Sequence, residues 1–142
     1  MGDIALTAAK IGLVYPEKAD VFTGIAGTTI TAGQFVYGII SSGKIGLADE
    51  DASAEASACL GMALNGATAG YPVDIVRRGH VYGFTLSGHA YWLVCSVSNT
   101  AGAILDTGAS TNIVARIEPL SDNDLTKVLY VNCNLGLPTV FA

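Results

Sequence analysis

The triplet Thr-Ala-Gly occurs three times, at Thr31-Ala32-Gly33, Thr68-Ala69-Gly70 and Thr100-Ala101-Gly102. Each copy leads into an apolar run: Gln34-Phe35-Val36-Tyr37, then Tyr71-Pro72-Val73-Asp74-Ile75-Val76, then Ala103-Ile104-Leu105. Glycine accepts positive φ at no steric cost, so a glycine set before β-prone residues reads as a turn feeding a strand. The chain is therefore expected to be built of turn–strand units that begin at Gly33, Gly70 and Gly102.

Other strands follow from the same signals. Phe35 to Ile40 is almost entirely β-branched or aromatic, Ser41-Ser42-Gly43-Lys44 supplies turn residues, and Ile45-Gly46-Leu47-Ala48 returns, which predicts a hairpin. Val73 to Val76, Arg77-Arg78-Gly79 and His80-Val81-Tyr82-Gly83-Phe84 read as a second hairpin-like pair turning at the arginines. Tyr91 to Val97 reads as a central strand, and Met62-Ala63-Leu64, Ile113 to Ile117 and Lys127 to Cys133 complete the set. Pro72 suits the first position of a strand or an edge.

One segment, Asp49 to Ala58, has a helical composition. It is rich in alanine, its acidic residues fall in the first turn, Asp49 or Asp51 is placed to cap, and Gly61 would end it. The expected fold class is all-β: a small β-barrel or tulip-like domain with one short helix. Residues 1–20 form an N-terminal arm or a first strand, and 21–142 a single β-rich domain, the size being that of one ordinary domain.

Composition limits function. Charged residues are 13% of the chain, about half the usual share of roughly 25%, while glycine reaches 17 residues. So few charges leave apolar and small-residue surface for a partner or an oligomer to cover. The net charge is −5, with Lys and Arg totalling 7. That argues against direct nucleic-acid binding, which relies on basic side chains displacing phosphate counterions. Arg77-Arg78 stands alone and reads as a solvated loop or edge-strand pair. Cys59, Cys95 and Cys133 have neither disulfide-framework nor zinc spacing and read as buried free thiols made in a reducing compartment. No secretory signal and no membrane-spanning apolar run is expected.

Catalytic chemistry is hard to assemble from these residues. Ser87 and His89 are two positions apart, G-x-S-x-G is missing, and His89 has no acidic residue within eight positions. His80 lies in an expected strand. Asp49, Glu50, Asp51 and Glu55 lack the calcium-loop pattern, and helix N-terminal charge explains them. Asp122-Asn123-Asp124 reads as a turn. Gly24-Ile25-Ala26-Gly27 and Gly61 to Gly66 match no phosphate loop. Tyr91, Trp92, Tyr82 and Phe84 read as core or cross-strand pairs rather than a sugar or base platform. Lys44 sits at a hairpin tip but lacks the flanking methionine of biotinyl or lipoyl carriers. No catalytic, cofactor-binding or metal residues are expected, and no enzyme.

Ile30-Thr31-Ala32-Gly33-Gln34-Phe35-Val36-Tyr37, Ser42-Gly43-Lys44, Leu47-Ala48-Asp49 with its Ala/Ser/Glu run, Gly61-Met62-Ala63-Leu64-Asn65, Gly70-Tyr71-Pro72-Val73 and Gly79-His80-Val81 share an order and spacing. With Val14-Tyr15-Pro16 and Gly27-Thr28-Thr29-Ile30 upstream, roughly residues 14 to 105 resemble the capsid decoration (cement) proteins of tailed bacteriophages. The resemblance implies a homotrimer made in a bacterial cytoplasm. It would sit on the capsid exterior at three-fold positions, clamp the major capsid protein and stabilise the shell against internal DNA pressure. The alternative reading is a glycan-binding or host-adhesion β-domain on a virion, using Trp92, Tyr91 and Tyr82.

Overall fold

In a computed structural model, which describes residues 3–106, 112–120 and 126–133, the glycines of the three triplets take φ of +94°, +92° and +84°. Each is a turn, as its sequence context demands. Gly33 precedes β3 (Phe35–Gly38), Gly70 precedes β6 (Pro72–Tyr82) and Gly102 precedes β8 (Ile104–Leu105). The other strands are β1 (Gly12–Leu13), β2 (Asp20–Ile25), β4 (Ile45–Leu47), β5 (Cys59–Ala63), β7 (Val94–Val97), β9 (Ile113–Pro119) and β10 (Lys127–Asn132). The fold is all-β: one strongly curled antiparallel sheet, with α1 (Ala54–Ser57) as the one α-helix among the described residues. Residues 3–20 run against the sheet, through β1 and the bridges Asp3–Leu105 and Leu6–Phe84.

β6 organises the sheet and corrects the hairpin expected at Arg77-Arg78-Gly79. The segment is one continuous eleven-residue strand. In its pairing with β2, Asp20 faces Arg78 but Val21 faces Val76, so Arg77 is an extra residue, a β-bulge. A bulge reverses which side chains point to which face. Val73 and Ile75 enter one apolar cluster with Ala26, Ile30, Val36, Ile45 and Ala63, whereas Val76 and Val81 enter another with Phe35, Met62, Cys95, Ile117 and Leu129.

Both β5 and β10 pair with β6 on the edge that β2 leaves free. β5 takes Ile75 and Val76, and β10 takes Arg78 to Val81. The sheet thus forks at Arg77. One arm runs β4-β3-β5 and the other β10-β9-β7-β8, and the larger cluster fills the space between them. Gly61 permits the close approach of β5, since a Cβ there would lie 2.3 Å from the Val76 carbonyl oxygen. The end strands of the two arms each take up a further backbone contact: Gly27 N–H donates to Ile45 O beside β4 and Ile4 N–H to Ile104 O beside β8.

The arms repeat one another. Tyr37–Gly46 and Gly38–Ile45 in the β3–β4 hairpin reappear 59 residues later as Ser96–Leu105 and Val97–Ile104. Val36–Gly61 then Tyr37–Cys59 reappears as Cys95–Ala115 then Ser96–Ile113, with the register shift at the same point. The repeating unit is therefore a four-strand module, not the single turn–strand suggested by the triplets.

Two further expectations are corrected. α1 is one turn capped by Ser53, whose Oγ accepts from Ala56 N–H at 3.0 Å, not a helix from Asp49 capped by an aspartate. Asp49 N–H and Glu50 N–H donate to Ala56 O and Ser98 O, so this backbone is tied across to other segments before a helical turn can form. Asp49 and Asp51 crowd each other, and their shared hydrogen bond raises the Asp51 carboxyl above its usual range. Gly61 lies inside β5 rather than ending the helix. The strand expected from Tyr91 starts only at Val94, because Trp92 takes φ +65° and interrupts the extended run.

Candidate interaction surface

Strand register places four outward side chains in a line across the longer arm. His80 on β6 faces Tyr130 on β10, Tyr130 faces Arg116 on β9, and Arg116 faces Val94 on β7. Their contacts are specific. The rings of His80 and Tyr130 lie 4.7 Å apart between centroids, and Tyr15 meets His80 edge-on at 5.4 Å. The Arg116 guanidinium lies 5.3 Å from the Trp92 ring and 5.8 Å from that of Tyr130.

Glu118 fixes this row from the next outward position of β9. It accepts from Arg116 Nε at 3.0 Å and Nη2 at 2.6 Å, and its other oxygen lies 2.9 Å from His80 Nε2. Facing a carboxylate, Nε2 carries the hydrogen and donates. Exposed ion pairs contribute little, about 0–1 kcal/mol; the importance of this one is that it holds a planar cation between two aromatic rings.

Apolar surface surrounds the row. Trp92 is 57% exposed, Tyr82 50%, Ile113 41% and Val94 40%. Val94, Ile113, Ala115, Arg116, Tyr130 and Asn132 line a shallow hollow of about 280 Å³. Aromatic rings and arginine on a half-buried apolar floor are the residue types that dominate protein–protein binding energy. Tyr91, Trp92 and Tyr82, which read in the sequence as core or cross-strand pairs, all face solvent, because Tyr91 and Trp92 sit in a turn and Tyr82 on the open face of β6.

The structure disperses most other sequence candidates. Arg77 stacks on Phe22 at 4.6 Å, whereas Arg78 is exposed. Lys44 is exposed beside the hairpin turn. Asp122-Asn123-Asp124 lies outside the described residues. Folding does bring an acid to His89: Asp106 Oδ2 lies 3.7 Å from its Nδ1. Asp106 also acts on Cys95, but burial first and that carboxylate second push the thiol up to about 12. A thiol held protonated is the opposite of an activated nucleophile. The first and third Thr-Ala-Gly turns meet, with Phe35 N–H donating to Gly102 O at 2.9 Å. They border a hollow of about 320 Å³ floored by Ile4, Leu6, Phe84 and Ile104.

Arg116, Glu118 and Tyr130 escaped the sequence reading. Their signal was the alternation Arg116-Ile117-Glu118, which marks one polar face of a strand; the cross-strand alignment with Tyr130 and His80 needs the register. Among the described residues, no group of three or more His, Cys, Asp or Glu is arranged to hold a metal ion. None of their helices is long and apolar enough to cross a membrane. No protein-family model matches the chain, and no curated protein matches it.

Proposed function

We propose that this chain is a structural binding protein, a capsid decoration (cement) protein. It would act as a homotrimer on the outer surface of a phage head and stabilise the shell against internal DNA pressure. The observation that carries the binding part is the outward row Arg116–Tyr130–His80 on adjacent strands, with the exposed Trp92 of the neighbouring turn against Arg116, set in apolar surface. The capsid partner and the trimer rest on the resemblance of residues 14 to 105 to decoration proteins. Binding to the assembled shell and not to separated subunits would stabilise the shell by mass action, and many copies on a lattice would add avidity.

The test is co-sedimentation of purified protein with expanded heads that lack decoration, alongside light scattering for the trimer. Binding to heads at micromolar concentration, reduced at least tenfold by Arg116→Ala, is the expected result. No binding to heads by the folded wild-type protein overturns the capsid reading. The exposure of Trp92, Tyr91 and Tyr82 favours a second reading, glycan binding on a virion. A glycan array would support that instead if it gave a signal that Trp92→Ala abolished.

A further inference from the structure

Two thiols meet at the fork in the sheet. Cys59 opens β5 and Cys133 follows β10, its N–H donating to Arg77 O at 3.0 Å. Since β5 leaves β6 where β10 joins it, these strand ends lie side by side although they are 74 residues apart in the chain. Both side chains are buried, and the sulfurs are 3.4 Å apart. The Cys59 thiol donates to Gly61 O at 3.5 Å, which leaves Cys133 as the donor to Cys59 Sγ. The sulfurs need to close by only about 1.4 Å to reach a disulfide bond length of about 2.05 Å.

We propose that Cys59 and Cys133 form a site for a reversible intramolecular disulfide that locks the fork, and that Cys95 takes no part. The oxidant is a small-molecule disulfide. A thiolate of the pair attacks one of its sulfurs, forming a mixed disulfide and expelling one small thiolate. The second protein thiolate then attacks the protein-side sulfur of that mixed disulfide and expels the other small thiolate. Two protein thiols lose two hydrogens in total, and one small disulfide becomes two small thiols. Burial places a gate on the first step. Desolvation, and the neighbouring Cys59 thiol after it, raise Cys133 well above the ordinary thiol range, so attack awaits an opening of the strand ends. Reducing surroundings keep the thiols apart, and oxidising surroundings close them. This inference is independent of what the outer face binds.

The experiment incubates the full-length reduced protein with oxidised glutathione, with and without sub-denaturing urea. Intact mass, a peptide map under non-reducing conditions and thermal melting are then measured. The expected product has lost two hydrogens, carries no glutathione, and yields a peptide joining Cys59 to Cys133. It forms faster in urea, melts higher by on the order of 10 °C, and reverts with reductant. Cys95→Ser should behave like the wild type. A cross-link through Cys95, a persistent glutathione adduct at Cys59 or Cys133, or unchanged mass in urea would each overturn the proposal. The map on the unmutated chain decides the matter even where a cysteine variant fails to fold.

Discussion

Trp92 combines a positive φ of 65° with 57% exposure. For an L-residue that backbone costs roughly 1–2 kcal/mol, and the exposed ring recovers little of it by burial. Strain of this kind gathers at functional positions, and the stacking of Arg116 on the ring is what the structure gains. The usual order of substitutions should therefore invert. Trp92→Gly should be more stable than Trp92→Ala by about 1 kcal/mol, since only glycine adopts this φ freely, while both lose binding to heads alike. Urea unfolding of the two variants checks the order; equal stability would show that position 92 carries no backbone strain. No single-residue signal revealed this position, because tryptophan beside Tyr91 and before Leu93-Val94 has every mark of a strand interior.

Most strands were legible from residue type, whereas β2 (Asp20–Ile25) and strand continuity were not. The hairpin of Phe35–Gly38 and Ile45–Leu47 could be read because its turn residues and its apolar runs agree. Arg77-Arg78-Gly79 misled because a charged pair followed by glycine has the composition of a turn, and a β-bulge uses the same residues. The distinction lies in β2, which pairs on both sides of the bulge, and such long-range pairing leaves no local mark. The same limit hid the interaction surface: His80, Arg116 and Tyr130 become neighbours through register alone. The bulge also sets a testable phase. Deleting Arg77 would remove the extra residue and leave a regular strand in which Arg78, His80 and Tyr82 keep their outward facing, and Arg78 and His80 their pairing with β10. It should cost about 1–3 kcal/mol, the scale of an ordinary substitution, because it loses the stacking on Phe22 and the Cys133 N–H bond to Arg77 O but no core side chain. Arg77→Thr keeps the residue count and loses mainly the stacking on Phe22, so it should stay within about 1 kcal/mol of wild type. A loss above about 4 kcal/mol for the deletion in urea titrations would mean that Arg77 is not the extra residue that sets the phase of β6.

At the scale of the molecule, two four-strand modules with matching registers share one core. The Thr-Ala-Gly echo hinted at internal repetition but gave the wrong period, because the turns before β3 and β8 look alike while holding different places in their modules. Repetition alone would allow the modules to unfold separately, as stacked repeats do when their interfaces are weak. The fork argues otherwise. β6 belongs to both arms, and Phe35 and Met62 from one share a buried cluster with Ile117, Leu129 and Val131 from the other. The larger cluster loses its cover on one side when the arms separate, so melting should be a single two-state event. Leu129→Ala is the discriminating variant: the residue is fully buried and faces Val81 on one side and Ile117 on the other. It should cost about 3 kcal/mol and lower Tm by on the order of 10 °C, with the calorimetric peak moving whole and its calorimetric and van't Hoff enthalpies still equal. A peak that splits, with one part left at the wild-type temperature, would show the modules to be independent. The outer face, with His80 and Tyr82 on β6 and Tyr130 and Arg116 on β10 and β9, would then span two modules that unfold separately.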